Sequence, residues 1–468
     1  MPTPLLSRAA VALLLCAACR PASAPVRAST AAPPADVAPR ADAERLRRDI
    51  AYLASDRLEG RGTGTPGNDS AAAYVARRFA ELGLRGAIAG GDSVTCRGPL
   101  APDASELGLV VRPGESSSCR GFLQRFTARS QAAAHAGRPF QLPTQNVVAL
   151  LPGTDPALRG QFVVLGAHVD HLGRDPQFSM DAGAGDAIRN GADDNASGTA
   201  AVMELARLFA ARPPRRSILF VAFSGEELGL LGSQYFVEHA PAPVESMVAM
   251  LNFDMVGRLE NDRVIVYGVA TADELPGIVQ AANAGPRLAV RAQGDGFGPS
   301  DHASFYVKNV PVLHFFTDQH PDYHAATDDV ERVNAPGAAR VVDLAYAAAR
   351  AIADRPARLT FRQTTTPPPS GGVAGDGGPR PWLGSVPDMA GDDTTGLRLQ
   401  AVTPGSPGDQ AGLRAGDVVV AIGGARVKDL YSYSAALYAH KPGDRITVDV
   451  LRDGKRQQLT VTLGKRGQ

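Results

Sequence analysis

Short, mostly apolar runs recur along the middle of the chain: Asn146-Val-Val-Ala-Leu-Leu151, Phe162-Val-Val-Leu165, Ile218-Leu-Phe-Val-Ala-Phe223, Met247-Val-Ala-Met-Leu-Asn-Phe253, Val264-Ile-Val-Tyr267 and Val310-Pro-Val-Leu-His-Phe-Phe316. Runs of this length and composition suit strands buried on both faces. Helical spacing fills several of the intervals. Thr199 to Phe209 places Val202, Leu205 and Phe209 on one face, and a last helix is expected from about Pro336 to Asp354. This alternation predicts an α/β domain with a mixed, mostly parallel central sheet flanked by helices. Ligands of such sheets collect beyond the carboxyl ends of the strands.

Most of the chemistry-bearing residues fall there. His168 with Asp170 follows one run, Asp193 with Asp194 lies in a glycine-flanked loop, and Glu226 with Glu227, Asp254 and His324 complete the series. Each motif alone has a plain structural explanation, such as a hydrogen-bonded His–Asp pair or carboxylates at a helix start. Their ordered recurrence points to a metal centre. Imidazole mixed with carboxylate oxygens suits Zn²⁺, and three carboxylates plus a hydroxide would balance two such ions.

Lys+Arg and Asp+Glu are equal at 48 each, which leaves no electrostatic footprint for nucleic acid. Arg8 followed by the apolar stretch Ala9 to Ala18 is a secretory leader too short to span a membrane. Export to the periplasm or to the exterior of the cell is expected. Cys16-Ala-Ala-Cys19 resembles a bacterial lipobox, with Cys19 as the lipidated residue and membrane anchor; cleavage near Ala22-Ser-Ala24 is the alternative. Residues 1–24 are thus leader, and 25–42 a disordered tether rich in Ala and Pro. Cys96 and Cys119 bracket an insertion around residues 90–140, either as a disulfide or as two free thiols. Residues 356–380 are rich in Pro and Gly and predict a linker. Residues 381–466 form a small second domain with short strands at Leu397–Val402, Asp417–Ile422 and Ile446–Leu451.

Residues 43–355 resemble the co-catalytic zinc aminopeptidases of the M28 peptidase family. Gly166-Ala-His-Val-Asp170, Gly191-Ala-Asp-Asp-Asn-Ala-Ser-Gly198, Ser224-Gly-Glu-Glu-Leu-Gly229, Asn252-Phe-Asp-Met-Val256 and Asp322-Tyr-His-Ala-Ala326 carry the resemblance, in the family's order. It implies two Zn²⁺ ions: one on His168 and Asp254, the other on Glu227 and His324, with Asp193 bridging. It further implies that Asp170 orients His168, that Glu226 is the general base, and that a cis peptide follows the bridging aspartate, between Asp193 and Asp194. The substrates implied are peptides with a free N-terminus. Tyr323 is either an oxyanion donor or a packing residue, and His302, in Ser300-Asp-His-Ala-Ser-Phe305, either faces substrate or sits on a helix capped by Ser300 or Asp301. His171, His314 and His320 are expected to be structural.

The second domain resembles a PDZ module. Trp382-Leu-Gly-Ser385 matches its carboxylate-binding loop, which would take a peptide C-terminus or a partner protein. The rival functions are a carboxypeptidase or a glutaminyl cyclase of the same fold, or a non-catalytic peptide-binding protein.

Overall fold

The computed structural model describes residues 39–88, 93–94, 119–130, 139–175, 179–181, 184–294, 296, 298–364, 381–387, 395–402, 405–427, 432–433, 436–437 and 439–465. The leader, Cys19 and Cys96 lie outside these, as do tether residues 25–38 and linker residues 365–380; Cys119 is described by its backbone alone.

The strands of the first domain are β1 (Arg85–Gly86), β2 (Ser93–Val94), β3 (Cys119–Arg120), β4 (Leu123–Arg129), β5 (Gln141–Leu151), β6 (Phe162–His168), β7 (Ser217–Phe223), β8 (Met247–Phe253), β9 (Arg263–Tyr267), β10 (Ala289–Ala292) and β11 (Val312–Phe316). The main sheet runs β1-β5-β7-β6-β8-β11-β9-β10, with β4 also paired to β5. Its centre, β7-β6-β8-β11, is parallel. β5 on one side and β9 on the other pair antiparallel to it.

Both faces are covered. Helices α1 (Ala43–Leu53), α2 (Pro66–Glu81), α3 (Gly198–Ala211), α5 (Leu275–Ala282) and α7 (Ala335–Asp354) share one core with Val163, Leu165, Ile218 and Phe220. The side chains that alternate with these, Val164, Leu219, Val221 and Phe223, pack against α4 (Leu231–Glu238) and α6 (His302–Tyr306) on the other face. Two-sided burial is why the strands read as unbroken apolar runs.

Three boundaries differ from expectation. The tether was expected to run to residue 42, yet the Ala41 amide donates to Asp343 Oδ1 and Asp42 caps α1 by accepting from the amides of Glu44 and Arg45. The insertion expected around 90–140 gives up Leu123–Arg129 to the main sheet, because Leu123 and Ala128 are buried there and seven consecutive residues pair with β5. The linker was expected from 356, yet Arg358 donates to the carbonyls of Glu245 and Met247, Phe361 bridges to Ala272, and Leu359 is buried. The first domain therefore continues to Thr364.

The second domain, described over 381–465, holds β12 (Pro381–Trp382), β13 (Ser385–Pro387), β14 (Leu397–Val402), β15 (Val418–Ile422), β16 (Ala425–Arg426), β17 (Arg445–Arg452), β18 (Lys455–Thr462), β19 (Gly464–Lys465) and helix α8 (Pro407–Gln410). Its antiparallel sheet β13-β14-β15-β17-β18 encloses a core of its own that includes Leu383, Val419, Ile422, Val448 and Val461. Among the described residues no helix is long and apolar enough to cross a membrane.

Candidate metal centre

Four parallel strands end at one edge of the sheet and deliver the polar residues there. β6 ends in His168, β7 runs into Ser224-Gly-Glu-Glu227, β8 is followed by Asp254, and the loop after β11 brings in His324. His168 Nε2 is 3.2 Å from Asp254 Oδ1 and 3.4 Å from Asp194 Oδ1. His324 Nε2 is 3.1 Å from Asp194 Oδ2 and 3.2 Å from Glu227 Oε2. One aspartate thus turns one oxygen to each histidine. Zinc bonds of about 2.0–2.1 Å in tetrahedral array require donor-to-donor separations of about 3.3 Å. The four distances meet that requirement, so these residues fit two zinc ions that share Asp194.

The aspartate that lies between the two histidines is Asp194, where Asp193 was expected. Asp193 is already satisfied elsewhere. Its Oδ1 accepts from the Gly257 amide at 2.6 Å and the Ser197 hydroxyl at 2.8 Å, and its Oδ2 is 3.1 Å from His320 Nε2. Asp194 has φ −104° and ψ 94°, an extended conformation that carries its carboxylate to the opposite side, between the two histidines. Asp328 Oδ2 accepts from both backbone amides, 193 at 2.9 Å and 194 at 3.0 Å, and pins the pair. The cis peptide likewise lies one residue later than expected, between Asp194 and Asn195.

Asp170 also departs from expectation. His168 Nδ1 is 3.1 Å from the Asp170 backbone carbonyl but 3.9 Å from its carboxylate. The carboxylate instead accepts from Thr63 Oγ1 at 2.7 Å and from the Glu226 amide at 3.2 Å. It thereby sets the turn that carries Glu226 and Glu227. Glu226 Oε2 stands 4.0 Å from His168 Nε2, beside the donors rather than among the closest of them. The Glu226 and Asp254 side chains keep 11% and 14% exposure against 4% for Asp194, so the centre opens to solvent on their side.

The electrostatics agree with a cation site. Burial opposes the charge on His324, yet Glu227 and Asp194 raise it to about 9. His168, likewise buried, is raised well above the usual imidazole range by Asp254 and Glu226. Burial pushes Glu226 well up, with Glu227 and Asp254 adding to the rise. Burial would raise Glu227 too, but His324 holds it down at about 2. Acids packed this densely draw positive charge inward, whether protons or metal.

Arg61 and Ser300, neither of them assigned a role at the centre from the sequence, also shape it. Arg61, fully buried, donates Nε to the Val169 carbonyl at 2.9 Å, Nη1 to the carbonyls of Leu53 and Asn190, and Nη2 to the Gly191 carbonyl at 3.0 Å. It ties the end of β6 to the loop holding Asp194. Ser300 Oγ donates to Asp254 Oδ2 at 2.8 Å and accepts from Asn252 Nδ2 at 2.7 Å. Ser300 is thus occupied at Asp254, and Asp301, at the helix N-terminus, makes no side-chain cap. His302 stacks on His314 at 4.5 Å and 7°, and Tyr323 stacks on His324 at 3.9 Å and 24°. His324 itself is left-handed at φ 53°, a conformation costing a non-glycine residue about 1–2 kcal/mol and typical of functional positions.

Fold and donor set together define an α/β protein built to hold cations at the carboxyl ends of its strands. Residues 146–349 match the model of peptidase family M28 and residues 381–463 that of the PDZ domain, so the chain carries an M28 peptidase domain followed by a PDZ domain. Leupeptin-inactivating enzyme 1 of Streptomyces exfoliatus is 35% identical over 178 residues, covering 37% of this chain and 35% of that protein. Aminopeptidase YwaD of Bacillus subtilis (strain 168) is 32% identical over 173 residues, covering 34% of this chain and 37% of that protein. The chain thus spans little more than a third of each relative's length. Among solved structures, a leucine aminopeptidase precursor from Bacteroides thetaiotaomicron aligns at a TM-score of 0.49 and 16% identity, covering 67% of this chain and 98% of that one.

Proposed function

We propose that the chain is an exported metalloaminopeptidase that removes N-terminal residues from peptides with two zinc ions. The observation that carries this reading is Asp194, whose two oxygens face His168 and His324 at 3.4 and 3.1 Å. His168, Asp254 and Asp194 would hold one ion, and His324, Glu227 and Asp194 the other. Bound zinc supplies Lewis acidity, which polarises a carbonyl and acidifies water.

The remaining work falls to the chain's own groups. Glu226, held by its amide on Asp170, takes the proton of the attacking water at a carboxylate oxygen and returns it to the leaving amine. Ser300 keeps Asp254 Oδ2 occupied, which leaves Oδ1 toward His168. The substrate's free α-amine is placed on the open side, beside the exposed edges of Glu226 and Asp254. The PDZ domain presents peptide ends or a partner, and the leader exports the chain, with Cys19 as its lipid anchor if the lipobox is used.

A panel of aminoacyl-4-nitroanilides against their N-acetylated counterparts tests the substrate class. Cleavage of the free-amine set alone, abolished by a zinc chelator and restored by Zn²⁺, is expected. Cleavage of the acetylated set, or of C-terminal residues, would replace this reading with an endo- or carboxypeptidase.

A further inference from the structure

The roles assigned above leave His171 unused, although it was expected to be structural and is 1% exposed at the heart of the centre. Its Nδ1 is 2.7 Å from Glu227 Oε1 and 3.9 Å from Asp194 Oδ2. A carboxylate oxygen only accepts, so the hydrogen of that contact sits on Nδ1. At 2.7 Å the two atoms are closer than the separation of about 3.3 Å that co-ligands of one zinc adopt. They bond to each other. The other oxygen of Glu227, Oε2, is the one that faces His324 Nε2 at 3.2 Å.

The imidazole is locked in place. Its backbone amide donates to the Arg61 carbonyl at 3.3 Å, and its ring stands edge-on to His324 at 5.6 Å and 74°. Its Cγ and Cδ2 lie against Gly191, where a Cβ would come within 2.5 Å of both. Gly191 has φ 55°, so glycine there meets the needs of backbone and ring alike.

We propose that His171 is a positioning residue for the second cation. By donating Nδ1–H to Oε1 it commits Glu227 to that cation through Oε2 alone. A hydrogen-bonded partner behind a ligating carboxylate is worth about 10–100-fold in metal affinity. The proposal rests on the two-zinc reading, and the experiment separates the two.

Metal-free full-length chain is titrated with Zn²⁺ against a chromophoric chelator, for the parent, His171→Leu and His171→Asn. Leu and Asn are close in size, but only Asn restores an N–H near the position of Nδ1. The parent should bind two equivalents. In His171→Leu one equivalent should weaken about 10–100-fold while the other is unchanged, and in His171→Asn both should stay within about threefold of the parent. Unchanged affinities in His171→Leu, or equal losses in both variants, would overturn the proposal and leave the two-zinc reading standing. Fewer than two equivalents in the parent would overturn both. If the Leu variant does not fold, a loss of about tenfold or more in the Asn variant contradicts the proposal alone.

Discussion

Asp193 and Asp194 are neighbours with the same side chain, and the structure sends them to opposite sides of one loop. Asp194→Asn should cost more zinc affinity than the roughly 10–100-fold that an outer hydrogen-bonding partner is worth, whereas Asp193→Asn should stay within that range. Competitive zinc titration of the two variants checks the order, and equal losses would contradict it. Period-two and period-3.6 patterns carry no information on such a choice. What decides it is the long-range company of Asp193, namely Ser197, Gly257 and His320, of which only Ser197 is near in sequence. The residue types of the centre were legible, as His168, Glu226, Glu227, Asp254 and His324 converge where strand ends were expected. Ser300 was quoted within its motif, but its bond to Asp254 crosses 46 positions and has no local signature.

At the scale of elements, the parallel strands were legible because burial on both faces leaves an unbroken apolar run. β4 was not, since its exposed Arg125, Thr127 and Arg129 dilute the pattern on the solvent side. The segment from Leu58 to Gly67 reads locally as a turn, yet it delivers Arg61, which joins α1, β6 and the Asp194 loop through four backbone carbonyls. Each carbonyl abandoned in a buried site costs about 1–3 kcal/mol, so Arg61→Met should destabilise the first domain by at least about 3 kcal/mol. Denaturant unfolding of the zinc-free chain measures this. A change below about 1 kcal/mol would mean that water replaces the guanidinium.

Over the whole molecule, the two domains were legible as a change from α/β alternation to short β-runs across a Pro- and Gly-rich stretch. The boundary was less so, because Arg358, Leu359 and Phe361 hold the chain to the first domain through contacts with β8 and Ala272. A chain ending at Thr364 should hydrolyse small chromogenic substrates as the full-length protein does. One ending at Arg355 should be less stable by about 2 kcal/mol or more, from the buried Leu359 and the carbonyls left open. Equal melting of the two truncations would contradict the boundary. Longer peptides should distinguish the Thr364 truncation from the full chain, because the PDZ domain is where a peptide end would dock.

The role of Glu226 in moving the proton at a two-zinc centre is tested by measuring turnover of an aminoacyl-4-nitroanilide and zinc content on the same samples of parent and Glu226→Gln. Both proteins should hold two zinc ions, and the variant should lose roughly 100- to 10,000-fold in kcat. Unchanged turnover in Glu226→Gln with two zinc ions bound would contradict it.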